Sequence, residues 1–410
     1  MTRNANDARL LTPGPLTTSQ ETKEVMLHDW GSRDSDFIEI NRRIRMQLLK
    51  IASAEASHVC VPLQGSGTFV VEAALGTLIP RDGKALILVN GAYGKRIAKI
   101  LDYLNREYLV HETAEDTTPV LSRLDSTLAG DSKISHVVVV HCETTSGILN
   151  PIGEIADIVA RHARSLLIDA MSAFGAIPME ANQIRFDAVM ASSNKCLEGI
   201  PGMGFALIRK DVLERSQGNA HSLSLDLYEQ WKNMEATSQW RFTPPTHVIV
   251  AFDKALQQFH EEGGVGGRNE RYSENCRILI DGMAKLGFET LLSSDLQAPI
   301  IVTFKMPEDP KFDFNEFYDR VKDKGFVLYP GKLTVAPSFR IGCIGHLFPE
   351  DMREALEAVA ATMKEIGLWI IQNNSEDRIS IPMMPYHLFL SFSELMELQR
   401  NFLGKETVIS

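Results

Sequence analysis

Short apolar runs alternate with amphipathic stretches through the first half of this chain. "DSDFIEINRRIRMQLLKIA" places Phe37, Ile40, Ile44, Leu48 and Ile51 three and four residues apart, the spacing of a helix with one buried face. Beyond it the period changes. "SHVCVPL" leads into "QGSGTFVVEAALGTL", "KALILV" into "NGAYGKRIAKIL", "SHVVVV" into "HCETTSG", "SLLI" into "DAMSAFG" and "DAVMA" into "SSNK". Each run is too short for a helix and rich in Val, Ile and Leu, as strands buried on both faces should be. Strands alternating with helices predict an α/β fold built on a large, mostly parallel sheet. A long helical pattern from about His247 to Glu262 then stops at "GGVGG". The segments "APIIVTF", "FNEFYDRVKDKG", "FVLYPG", "SFRIG" and "EDMREALEAVAATMKEIG" come after it, and predict a smaller α+β C-terminal domain.

The expected division is an N-terminal arm (1–20), a large domain (21–250), a small domain (251–370) and a C-terminal extension (371–410). In the extension, Ser391 and Glu394 can form a capping box before "LMELQRNFL", with Gly404 as the stop. A docked terminal helix is the expectation, set against an unstructured extension. Two domains also suit the length, since 410 residues exceed what one hydrophobic core usually supports.

A net charge of −11 argues against nucleic acid as the main partner, but leaves room for a small anion bound by local arginines. The cysteines Cys60, Cys142, Cys196, Cys276 and Cys343 form no CxxC pair and no Cys/His ligand spacing. That pattern suits reduced thiols in a cytoplasmic protein, rather than a disulfide framework or a metal site. "MTRNANDARL" lacks an apolar leader core, and no apolar run approaches the roughly 20 residues of a membrane span.

Chemistry enters at the carboxyl ends of the predicted strands. Gly65-Ser66-Gly67-Thr68, Asn90 to Tyr93, Glu143-Thr144-Thr145, Asp169 and Asn194-Lys195 all lie just past an apolar run. In a parallel sheet those ends share one edge, where open α/β sheets bind ligands. The glycines of "GSGT" permit close backbone approach, and free amides at a helix start favour an anion. A dinucleotide site is the rival, but the third glycine is missing and the next strand ends in Asn90, not in an acidic residue. Asp169 alone could cap a turn; its functional reading is partner to a ring nitrogen that must stay protonated. Lys195 alone could be a surface lysine; buried among small residues, it becomes an amine able to form a Schiff base. Anion loop, carboxylate, lysine and a stacking Tyr93 are together the contacts that pyridoxal 5′-phosphate requires.

On these residues the chain resembles the fold-type I PLP enzymes, in their class V aminotransferase branch. The resemblance runs from about Leu10 to Gly367 through "LLTPGPLTTS", "DWGSRDSDF", "LQGSGTF", "NGAYGKR", "HCETTSGILNPI", "LIDAMSAFG", "SSNKCLEGIPG", "SLSLDLYEQW", "WRFTPPTH", "YPGK" and "FRIGCIG". In that order, the series is similar to class V members that act on 2-aminoethylphosphonate and pyruvate. The resemblance implies Lys195 as the Schiff-base lysine and Asp169 as the pyridinium partner. It implies Ser66, Gly67 and Thr68 as the phosphate cradle, Tyr93 as the ring-stacking aromatic and Asn194 beside the lysine. Thr144 matches a hydroxyl near the ring edge, with Thr145 an adjacent candidate. Thr243 matches a residue that reaches the cofactor phosphate of a neighbouring subunit, so a homodimer is implied. Arg340 matches the arginine that clamps the substrate's anionic end, and Gly14 of the "PGP" turn is expected to line the same pocket. Guanidinium can pair two oxygens of a carboxylate or a phosphonate, which suits both half-reactions. The alternatives are a class V aminotransferase of alanine–glyoxylate or serine–pyruvate type, or a PLP-binding protein without catalysis. A cysteine desulfurase fits less well, because Cys343 follows a strand pattern and not a loop.

Overall fold

The computed structural model describes residues 7–333 and 336–368. The predicted cap at Ser391 and Glu394 and the stop at Gly404 lie outside them. Seven strands build the central sheet: β1 (His58–Gly65), β2 (Lys84–Val89), β3 (Glu107–Glu112), β4 (Ile134–Val140), β5 (Ser165–Asp169), β6 (Ala188–Ser192) and β7 (Gly202–Arg209). Their spatial order is β1-β7-β6-β5-β4-β2-β3. β2 through β6 pair in parallel, and β7 inserts antiparallel between β1 and β6. Because β7 is antiparallel to both neighbours, β1 to β6 all point the same way. Their carboxyl ends therefore share one edge.

The apolar runs predicted β1, β2, β4, β5 and β6. β3 is an edge strand reading Glu-Tyr-Leu-Val-His-Glu, too polar to stand out as a buried run. β7 comes directly after the glycine-proline turn beyond Lys195, which masks its start.

Burial on both faces accounts for the unbroken hydrophobicity of the central strands. Leu86, Leu88, Val137 and Val139 share one core with Phe37, Ile40, Ile44 and Leu48 of α1 (Ser35–Ile51). The alternate residues Ala85, Ile87, Val89, Val138 and Val140 join the opposite core. That second core takes in Val70, Ala74 and Leu75 of α2 (Gly67–Leu78) and Ile97 and Leu101 of α3 (Ala92–Tyr103). Each such Val, Leu, Ile or Phe side chain, fully buried, contributes roughly 1.5–3 kcal/mol. The edge that carries the candidate residues thus stands on a firmly packed scaffold. α4 (Thr246–Glu261) matches the predicted helix and adds Ile249, Phe252, Leu256 and Phe259 to the first core. The Arg43–Asp253 ion pair at 2.6 Å ties α4 to α1.

α5 (Gly264–Lys285) comes immediately after, and the sequence pattern did not predict it. Gly264, Gly266 and Gly267 read as breakers, yet the helix runs through them. Its signal is the buried set Arg268, Tyr272, Asn275, Cys276, Leu279 and Met283, spaced at helical intervals but partly polar. The remaining predicted elements are present as β8 (Ile301–Lys305), a helix at Phe314–Asp323, β9 (Tyr329–Pro330), β10 (Ser338–Gly342) and α6 (Pro349–Glu365). The three strands form an antiparallel sheet in the order β8-β10-β9, around a core that includes Phe304, Phe317, Phe339 and Met352. Arg9–Leu10 pairs in parallel with Phe326–Val327, and Arg9 holds Asp351 at 2.8 Å. From that anchor the chain carries the Pro13-Gly14-Pro15 turn to Lys195, whose ammonium donates to the Pro13 carbonyl.

Candidate active site

A cavity of about 500 Å³ opens at the shared strand edge. Of the residues singled out by sequence, Gly14, Ser66, Gly67, Thr68, Tyr93, Asp169, Asn194 and Lys195 line it.

Each arrives there for a local reason. β1 turns at Gly65, whose φ of +116° lies where L side chains are strained; a Cβ there would also come within 2.7 Å of the Phe69 ring. α2 then starts at Gly67, with Ser66 in the cap position but making no side-chain capping bond. The first-turn amides are left able to hold an anion. Asp169 closes β5, and its Oδ1 accepts the Met171 amide at 3.0 Å. Burial pushes the Asp169 carboxyl up to about 6, against the opposing pull of that amide, Arg96 and Lys195. Lys195 comes after β6, and burial pulls its ammonium down to about 8 despite the nearby Asp169. Its Nζ donates to the Pro13 carbonyl at 2.7 Å. Gly14, at φ +125°, permits that approach, since a Cβ on it would sit 2.4 Å from Nζ.

The hydroxyl and arginine candidates sit differently. Thr144 is buried, and its carbonyl accepts from Arg340 at 2.6 Å. Thr145 donates its hydroxyl to the Glu143 carboxylate and accepts the Ala92 amide at 2.9 Å. Arg340 is fully buried on β10, with Nε and Nη2 on the Pro330 carbonyl at 3.1 and 2.8 Å and its plane over Tyr329. Thr144, Thr145 and Arg340 are not among the walls of the 500 Å³ cavity. Thr243 is exposed and borders a separate hollow of about 370 Å³ with Arg241 and Phe242.

Four further residues belong to the site's structure. Glu143 is fully buried and accepts the amides of Tyr93 and Gly94 at 3.1 and 3.2 Å, so it fixes the start of α3 and with it Tyr93. Burial raises its carboxyl, with Asp169 adding to the effect. Arg96 and Ser192 line the cavity, and the buried Ser192 hydroxyl has no partner among the described residues. Arg268, fully buried on α5, donates to the Cys196 carbonyl next to Lys195 and holds Glu198 and Glu262 at 3.3 and 2.8 Å. Burial alone would raise Glu198; Arg268 and Arg271 bring it below the usual range instead. Arg96 was legible within "NGAYGKR", three residues after Tyr93 on one helix face. Glu143 was legible within "HCETTSG". Arg268 lay in a glycine-rich stretch with no signal of its own.

This edge-on convergence of lysine, carboxylate and anion-ready helix start has known counterparts. The profile of the aminotransferase class-V family matches residues 27–340. The chain belongs to the class V aminotransferases. The 2-aminoethylphosphonate–pyruvate transaminase of Pseudomonas putida (strain W619) is 55% identical over 362 residues, covering 88% of this chain and 98% of its own. The transaminase of the same name from Pseudomonas aeruginosa (strain UCBPP-PA14) is 55% identical over 357 residues, 87% of this chain and 96% of its own. Among solved structures, the alanine–glyoxylate aminotransferase of Nostoc sp. superposes with a TM-score of 0.82 at 19% identity, over 88% of this chain and 97% of that one. The pyridoxamine–pyruvate aminotransferase of Mesorhizobium loti gives 0.80 at 23%, over 89% and 94%. At those identities the structures establish the fold, and this class V aminotransferase shares it, as its apolar pattern predicted.

Proposed function

We propose that this aminotransferase moves the amino group of 2-aminoethylphosphonate to pyruvate, giving phosphonoacetaldehyde and L-alanine in phosphonate degradation, with pyridoxal 5′-phosphate as cofactor. The observation that carries the reading is one cavity faced by Lys195, Asp169 and the open start of α2. The donor set fits the cofactor: an unsatisfied Ser192 hydroxyl, uncapped amides for a phosphate, a carboxylate raised to about 6 and a lysine lowered to about 8. When bound, the cofactor supplies an electron sink for the carbon that bears the amine.

The roles then rest on the residues. Ser66, Gly67 and Thr68 would hold the phosphate, and Tyr93 would pack against the ring. Asp169 would hold a proton on the ring nitrogen. Lys195 would hold the cofactor through its amine and, when free, would take the proton from the amine-bearing carbon of the substrate. With an acid constant near 8 it is close to the operating range of a general base. Arg340 is the proposed anchor of the substrate anion. Three of its five N–H groups are spent on Pro330 and Thr144, which fixes the plane and leaves two for the substrate.

A homodimer belongs to the same reading, with Thr243 of one copy reaching the site of the other. Exposed Phe69 beside the anion loop and exposed Phe242 beside Thr243 support such a contact. Two domains belong to this reading as well; the boundary expected at 250/251 falls inside α4, and we propose it near Gly263 instead, between α4 and α5. Incubation with 2-aminoethylphosphonate and pyruvate, with L-alanine then quantified, tests the function. The wild type should form it and Lys195→Ala should not. Turnover retained by that variant would sink the assignment of Lys195.

A further inference from the structure

We propose that Arg96 is a phosphate-anchoring residue of the cofactor site, a cation that closes on the oxyanion from the side opposite the α2 amides. This rests on the cofactor reading of the cavity. Arg96 lies on α3 one turn beyond Tyr93, and its guanidinium covers the Tyr93 ring with Cζ 4.8 Å from the centroid. Its Nη1 donates to the Thr68 hydroxyl at 3.2 Å. It lines the cavity together with the Ser66–Thr68 loop.

Arg96 combines a place in the cavity wall with the lack of a counter-charge. Among the described residues no carboxylate pairs with it, whereas Arg43, Arg45, Arg209, Arg268 and Arg271 are each paired. Four of its five N–H groups remain after the Thr68 bond. An unpaired guanidinium held over a ring, facing a helix start, is arranged for an anion with more than one oxygen. The charge of Arg96 reaches the cavity interior, since it is among the influences on both Asp169 and Lys195. A phosphorus oxyanion could come from the cofactor or from the substrate. The contact with Thr68 favours the cofactor, because Thr68 sits in the first turn of α2 rather than opposite the lysine.

The test is equilibrium binding to the cofactor-free protein of two probes, pyridoxal 5′-phosphate and pyridoxal, which lacks the phosphate. Wild type, Arg96→Gln, Arg96→Lys and Thr68→Val are compared. Loss of charge-assisted hydrogen bonds predicts a rise in the Kd of the phosphorylated probe by about 10- to 100-fold in Arg96→Gln. The Kd of pyridoxal should stay within about 2-fold, and Arg96→Lys should recover part of the loss. Thr68→Val should weaken the same probe selectively. Equal loss for both probes would overturn the proposal and make Arg96 a support for Tyr93. Unchanged cofactor binding, with KM raised for 2-aminoethylphosphonate but not for L-alanine, would also overturn it and move Arg96 to the substrate. No binding of either probe by the wild type would instead refute the cofactor reading, and this assignment with it. Arg96 is exposed, so its substitution should leave the urea midpoint of the cofactor-free protein in place.

Discussion

Replacing Asp169 by Asn should make the cofactor-free protein more stable while abolishing its turnover. Asp169 is buried at the end of β5, where the Met171 amide donates to its carboxylate. Asn keeps an oxygen acceptor for that amide and removes the charge. Burial raises the carboxyl from 3.8 to about 6 in the folded chain. A raised constant means the folded state resists ionisation, so stability is complete below 3.8 and is lost as pH rises through about 6. The gap corresponds to about 3 kcal/mol once ionisation is complete. Urea unfolding of cofactor-free wild type and Asp169→Asn between pH 4.5 and 8 reads it directly. Asn should be favoured by about 3 kcal/mol at pH 8, shrinking to about 1 kcal/mol at pH 4.5. A difference independent of pH, or a destabilised variant at pH 8, would refute the electrostatic account of this carboxylate.

Gly14→Ala should displace Lys195, because the new Cβ would fall 2.4 Å from Nζ at a backbone φ of +125°. Turnover should drop at least about 10-fold, and the urea midpoint should fall with the strain of a side chain at that φ; wild-type kcat would contradict this. Arg268→Met should cost about 3–5 kcal/mol, because Glu198 stays buried with one of its two guanidinium partners gone; a loss under about 1 kcal/mol in urea unfolding would refute it. The rate at which cofactor-free protein and pyridoxal 5′-phosphate develop their visible band should rise with pH and level off above about 8, as Lys195 loses its proton. A rate that is flat between pH 6 and 9 would remove Lys195 as the attacking amine.

The sheet was legible because its central strands are buried on both faces, so runs such as "KALILV" and "SHVVVV" are apolar without interruption. β3 escaped that reading because an edge strand carries glutamates at both ends and buries little. α5 escaped because its inner face is built from Arg268, Tyr272 and Asn275, which a search for hydrophobic period ignores. Of the site, the residues that terminate strands were legible from topology: Asp169 and Lys195 come together because β5 and β6 are adjacent and parallel. Roles that depend on distant chain were not, even where the residue itself stood in a legible motif. Glu143 matters through the amides of α3, and Arg268 through a carbonyl 72 positions away. The anchoring of Arg340 by Pro330 and Thr144 likewise depends on β9 and β10 meeting the loop after β4.

The most direct test of the central claim is the visible absorbance of the purified protein, with 2-aminoethylphosphonate and L-alanine added separately. Both amines should bleach the band of lysine-bound cofactor and yield its amine form. Bleaching by L-alanine alone would keep Lys195 and the aminotransferase but contradict the phosphonate substrate. Absence of the band even after pyridoxal 5′-phosphate is supplied would contradict the account at its root.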